Sequence, residues 1–165
     1  MNTILKTARA AATLRPAQYA RRYATEAPAS GKLRLNFVLP HETIFKNTEV
    51  QQVNIAATTG DMGVLANHVP SIEQLAPGVV EVIENIQGGS KKYFVSGGFA
   101  VINPDSTLNI NAVEAFSLED FSLEAVKSNL SEAQRLASAA TTEEERAAAK
   151  VEVEVFEALQ AALSK

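Results

Sequence analysis

Between Lys32 and Phe116 the apolar positions fall in short runs separated by turn residues. Leu33, Leu35, Phe37 and Leu39 alternate with Arg34, Asn36 and Val38, the period of a half-buried strand, and Pro40 stops the run. Thr43-Ile44-Phe45 predicts a short second strand, and Val50 to Ala56 a third with Val53 and Ile55 inward. Val79 to Ile86 predicts a further strand, turned by Gln87-Gly88-Gly89-Ser90 onto Lys92 to Ser96. Phe99 to Ile102, the turn Asn103-Pro104-Asp105-Ser106, and Leu108 to Val113 form another hairpin. Ser96 precedes Gly97-Gly98, a pair that marks a bulge or a close backbone approach within a strand pair. Many short strands with frequent turns indicate an antiparallel sandwich or barrel.

The pattern changes near residue 118. From Asp120 onward there is no Gly or Pro, and alanine dominates. Leu123, Val126, Leu130, Ala133 and Ala137 lie on one stripe of a helix. Thr142 with Glu145 forms a capping box, and Glu143, Glu144 and Glu145 sit at the positive end of the helix dipole. The second helix is expected to bury Ala147, Val151, Val155, Ala158 and Leu159. Two helices of roughly 18 and 21 residues would form an antiparallel hairpin with a thin, alanine-rich seam, which should lean on the β domain or a partner. The expected class is therefore α+β, with an N-terminal antiparallel β-sandwich at 32–117 and a helical hairpin at 118–165.

One stretch fits neither pattern. Gly60 to Gly78, GDMGVLANHVPSIEQLAPG, is expected to be a long ordered loop between strands. Gly60, Gly63 and Gly78 permit unusual backbone, and Pro70 and Pro77 stiffen it. Met62, Val64, Leu65, Val69, Ile72 and Leu75 give it apolar contacts that a solvated spacer does not need.

Composition separates the start of the chain from the rest. Met1 to Thr25 holds no acidic residue but carries Lys6, Arg9, Arg15, Arg21 and Arg22 among Ala, Thr and Leu. That is the composition of a mitochondrial transit peptide, expected over 1–23 with cleavage after Tyr23 and a flexible segment at 24–31. The whole chain carries 15 basic and 19 acidic residues; without the five basic residues of 1–23 it has ten against nineteen, net −9. Such an acidic chain is ill suited to nucleic acid, which needs Lys and Arg to displace counterions. Cysteine is absent, so disulfides and thiolate chemistry are excluded.

Catalytic groups do not converge in the sequence. His41 and His68 are the two histidines, and no second His, Cys or spaced carboxylate pair accompanies His68 as a metal site requires. His68 could act as a base or ligand, or brace its loop together with Pro70, Pro77 and Gly78. The glycine pairs match neither a P-loop nor a dinucleotide fingerprint, and Ser96 lacks the surroundings of a nucleophile elbow. No catalytic residue, cofactor or metal is expected.

Four segments in order then resemble one family: Gly60-Asp-Met-Gly-Val-Leu-Ala-Asn-His-Val-Pro70, Leu75-Ala-Pro-Gly-Val79, Tyr93-Phe-Val-Ser-Gly-Gly-Phe-Ala-Val101 and Ala112-Val-Glu-Ala115. They resemble the central-stalk subunit of F-type ATP synthases, called delta in mitochondria and epsilon in bacteria and chloroplasts. The likeness runs from about Lys32 to the C-terminus, and the basic leader selects the mitochondrial form. The resemblance implies a non-catalytic rotor subunit on the matrix side of the inner membrane. Its partners would be the gamma subunit, the small mitochondrial epsilon subunit and the membrane c-ring, with no nucleic acid and no membrane contact except through the complex. By the same resemblance Thr59, Gly60, Asp61, Met62, Gly63, Leu65 and Asn67 approach the c-ring, with Asp61 either pairing with a basic group there or forming a turn. Some bacterial members bind ATP through an Ile/Leu-Asp-x-x-Arg-Ala motif where the hairpin begins. Here Glu124 stands where that arginine would fall before Ala125, so no nucleotide site is expected. The other readings are a free-standing matrix β-sandwich binding module and a small hydrolase built on His68 and Asp61.

Overall fold

The computed structural model describes residues 31–85 and 88–164. The leader at 1–23, nearly all of the segment 24–31, and Gln87 of the predicted turn lie outside those residues.

The strands are β1 Leu33–Val38, β2 Thr43–Val50, β3 Gln52–Ala57, β4 Gly60–Leu65, β5 Ser71–Leu75, β6 Gly78–Ile83, β7 Ser90–Val95, β8 Gly98–Ile102, β9 Thr107–Ala112 and β10 Ala115–Ser117. A 3-10 turn at Leu118–Asp120 leads to helices α1, Leu123–Ala139, and α2, Glu143–Leu163. Hydrogen bonding runs β10-β7-β6-β3-β5-β8-β9-β1-β2, with β4 on the free side of β3. β3 meets β5 through one residue pair, Ala57 with Leu75. At that joint the sheet folds over into two layers, β4-β3-β6-β7-β10 and β5-β8-β9-β1-β2. Tyr93 of the first layer sets its ring edge-on to Phe37 and Phe45 of the second, at 5.7 and 5.9 Å between centroids. Leu33, Leu35, Phe37, Val53, Ile55, Val80, Val82, Leu108 and Ile110 fill the space between the layers. The α+β class and the sandwich are those expected from the alternation.

Four expectations need correction. Gly60 to Gly78 is not a continuous loop: β4 pairs along its whole length with β3, and β5 with β8. Its apolar residues Val64 and Leu75 belong to the sandwich core. β2 extends to Val50 rather than ending at Phe45, because an edge strand needs no apolar residues on its outer face. A bulge at Asn47, φ 49°, with its N–H donated to Asn36 Oδ1 at 2.7 Å, carries the strand through the polar run. The sheet is not wholly antiparallel, since β1 lies parallel to β9. These strands are distant in sequence, as parallel neighbours must be.

The fourth correction concerns α2. Its predicted cap is present: Glu145 N–H donates to Thr142 Oγ1 at 3.2 Å, and Thr142 N–H to Glu145 Oε2 at 3.3 Å. Its buried face differs, with Ala149 and Leu159 buried, Val155 and Ala158 partly so, and Ala147 and Val151 exposed. Alanine occupies 147, 148 and 149, so composition offers no choice of face there. α1 buries Val126 and Ala133 on the predicted stripe. Phe94, Val126 and Leu159 form a second, smaller core that docks the hairpin on the sandwich, with Phe121, Val155 and Phe156 around it.

Candidate functional site

Because β4 is a strand, it separates the residues expected to form one contact surface. At 3.3 Å per residue its six residues span about 20 Å. Thr59, Gly60 and Asp61 lie at one end of the sandwich, together with the turns at Pro77-Gly78 and Ser96-Gly97. Leu65, Asn67, His68 and Pro70 lie at the opposite end, beside the turn 103–106. Met62 and Gly63 are in mid-strand, and Met62 packs against the core.

At the first end Gly60 has φ +128° and open space where a side chain would be, while Thr59 Oγ1 donates to Glu73 Oε2 at 3.3 Å. Gly78 is tightly enclosed, since a Cβ there would lie 2.6 Å from that of Ala56. Ser96 donates its N–H to the Glu114 carbonyl at 3.4 Å, and the Gly97 carbonyl accepts from Val113 N–H at 3.1 Å. Gly98 then opens β8, paired side by side with Ala112 of β9.

Asp61 turns onto the outer face of the first layer. There it lines a groove of about 520 Å³ between the sheet and the last turns of α2, with Asn54, Glu81, Lys92 and Ala158. The floor is a polar network. Gln52 Nε2 donates to Asn54 Oδ1 at 2.6 Å, Asn54 Nδ2 to Glu81 Oε2 at 2.9 Å, and Ser90 Oγ to Glu81 Oε1 at 2.7 Å. The hydrogen bonds from Ser90 and Asn54, helped by the charge of Lys92, hold the Glu81 carboxyl below its ordinary value. Asp61 itself makes no ion pair with any described residue.

At the second end Asn67 takes a left-handed backbone, φ 62°, and donates its N–H to Ser106 Oγ at 2.9 Å. His68 Nδ1 stands 2.9 Å from the Val69 carbonyl oxygen of its own segment, and its N–H donates to the Leu65 carbonyl at 3.3 Å. His68 and Asp61 are thus at opposite ends of a strand and cannot act together on one substrate. Among the described residues no group of His, Asp and Glu is arranged to hold a metal, and no helix is long and apolar enough to cross a membrane.

Two features were not anticipated. Ser106 is buried to 2% exposure. On the outer face of the second layer, Ile72 is 73% exposed and Phe99 54% exposed, and Val101 pairs with Ile72 between them. The signal for this strip was the unbroken apolar run Phe99 to Ile102, which leaves no polar face to the strand.

With the geometry in view, the chain matches the family model of the ATP synthase delta/epsilon chain beta-sandwich domain over residues 32–117. It is 55% identical over 163 residues to the mitochondrial ATP synthase subunit delta of Neurospora crassa, covering 96% of this chain and 98% of the relative. It is 53% identical over 143 residues to the Saccharomyces cerevisiae subunit of the same name, covering 87% and 88%. In structure it resembles a chain of the Euglena gracilis mitochondrial ATP synthase, solved as OSCP, F1 and c-ring, with TM-score 0.75 and 36% identity over 81% of this chain and 82% of that one. A Tetrahymena thermophila central-stalk and c-ring chain shares the fold at TM-score 0.57 and 15% identity, over 78% and 96%. The chain belongs to the ATP synthase delta/epsilon family. Within it the chain groups with the mitochondrial delta subunits, components of the mitochondrial ATP synthase.

Proposed function

We propose that the chain is a non-catalytic rotor subunit that links the gamma subunit to the membrane c-ring and passes proton-driven rotation toward catalytic sites on other chains. The observation that carries this reading is the likeness, at TM-score 0.75, to a chain solved within an assembly of F1 and c-ring. The separation of His68 from Asp61 favours it over a hydrolase. The exposed strip of Ile72, Val101 and Phe99 favours it over a free-standing module, because large apolar residues grouped on one outer face indicate a protein partner. In this reading the strip meets the gamma subunit, with the mitochondrial epsilon subunit completing the foot of the stalk.

The c-ring contact divides with the strand. Thr59, Gly60 and Asp61 face the ring from one end of the sandwich, with Met62 and Gly63 supporting them. Leu65 and Asn67, at the other end, cannot reach the same surface. Gly60 admits close backbone approach, and Asp61 pairs with a basic group of the ring. His68, Pro70, Pro77 and Gly78 hold the connections in shape. An exposed ion pair contributes at most about 1 kcal/mol, so shape fit carries most of the joint. No nucleotide binds at Leu118–Ala125, where Glu124 would repel phosphate.

Blue-native electrophoresis with detection of this chain tests the assignment: it should migrate with the whole synthase, and its absence from that band would sink it. Asp61→Lys should weaken attachment of the stalk to the ring and lower oligomycin-sensitive ATPase. Unchanged values would remove the electrostatic part, and measurable ATP binding by the subunit would overturn the last inference.

A further inference from the structure

Ser106 does two unusual things at once. It is the one polar residue among the described residues that is buried to 2% exposure, and it holds a left-handed backbone, φ 59°. A residue with a side chain adopts that conformation at a cost, and persists in it only where its surroundings require it. Here its Oγ accepts the N–H of Asn67 at 2.9 Å, across the end of the sandwich between layers. Asn67 is also left-handed, φ 62°, so two strained turns meet at one hydrogen bond.

The acceptor side of this bond is firmly fixed. The Ser106 carbonyl accepts Arg34 N–H from β1 at 2.9 Å. Asp105 accepts Thr107 N–H through Oδ1 at 3.1 Å, and its Oδ2 lies 3.1 Å from Arg34 Nη2. The donor side is a connection with exposed apolar residues: Leu65 is 48% and Val69 75% exposed, and the connection runs straight into Ile72. Without the latch, residues 66–70 would be held mainly by bonds within their own segment.

We propose that Ser106 is a positioning residue, whose buried hydroxyl fastens the Leu65–Pro70 connection to the turn between β8 and β9 and so presents Val69 and Ile72 in one geometry to the stalk partner. The inference rests on the rotor reading, since the partner is the one assigned there. Its advantage is entropic: a connection already ordered loses less freedom on assembly.

The test uses the full chain and two matched variants. Ser106→Gly accepts the left-handed backbone and removes the side chain that carries the hydroxyl. Asn67→Gly accepts the same backbone and keeps the donor N–H. Hydrogen exchange at the residue-67 amide is measured on the isolated subunit, and incorporation into assembled synthase is measured in competition with wild type. Ser106→Gly should speed exchange at that amide at least tenfold and reduce incorporation about fivefold, while Asn67→Gly stays near wild type in both. Unchanged exchange or incorporation in Ser106→Gly, or equal losses in Asn67→Gly, would overturn the proposal. So would a Ser106→Gly chain that fails to fold, because the hydroxyl would then be a folding determinant. If wild type itself does not enter the synthase, the rotor reading fails, and the exchange measurement still decides whether the latch exists.

Discussion

Gly98 lies so close to Asn111 on the neighbouring strand that a Cβ added to it would run into the Asn111 carbonyl oxygen and come within 2.8 Å of the Ala112 Cα. The obstacle is backbone on a central strand, which cannot rotate away as a side chain could. Its φ of +148° adds strain for any other residue. Gly98→Ala should therefore cost about 3 kcal/mol, combining overpacking with backbone strain. Gly89, with nothing within 4 Å of a built Cβ, is the control, and Gly89→Ala should stay within about 0.5 kcal/mol. Urea denaturation of both variants measures the difference.

The hairpin hangs on a small aromatic contact. Phe121 meets Phe94 edge-on at 6.0 Å and Phe116 at 6.2 Å, in a cluster separate from the sandwich core. Phe121→Ala should remove about 2 kcal/mol of docking energy while the sandwich stays folded. Limited proteolysis then cuts first between residues 118 and 123, and exchange rises in α1 and α2 before it rises in β1 or β9.

The start of α2 should respond to acid. Glu145 accepts backbone and side-chain hydrogen bonds from Thr142 and Thr141, which hold its carboxyl below the ordinary value of 4.5. A carboxyl lowered in the folded state stabilises fully above its unfolded value and loses that contribution as pH falls through the folded one. The first turn of α2 should therefore fray as pH drops below about 4.5, and Thr142→Ala should fray it already at neutral pH, at a cost of about 1 kcal/mol. Site-resolved exchange at Glu145 and Arg146 checks both.

Glu81 gives a second acid-sensitive point with the same sign. Its lowered carboxyl joins β6 to β3 and β7 through Asn54 and Ser90. Glu81→Gln should lower stability at neutral pH by about 1 kcal/mol and flatten the decline of stability below pH 5, since the variant has no proton to take up. A parallel pH dependence in wild type and variant would show that the network carries no such linkage.

Much of this architecture was written in local pattern. Alternation in β1, the turn at Asn103-Pro104, the stripe of α1 and the capping box at Thr142 each depend on residues close in sequence, so periodicity and cap chemistry revealed them. The Gly97-Gly98 pair marked a close approach, but not its partner, since Asn111 lies on another strand. Where several residues could serve equally, pattern was silent. The alanines at 147–149 left the face of α2 open, and docking against α1 and Phe94 chose Ala149 and Leu159.

What the sequence by itself determined is the α+β division near residue 118, the alternating core and the family to which the chain belongs. Only the tertiary structure decided the character of Gly60 to Gly78. Glycines, prolines and scattered apolar residues resemble a loop when a strand's partner is unknown, because pairing with β3 supplies the order that β4 lacks in propensity. That pairing sends Asp61 and Asn67 to opposite ends of the sandwich. It also brings Asn67 to Ser106, thirty-nine residues away, a contact that no local pattern encodes.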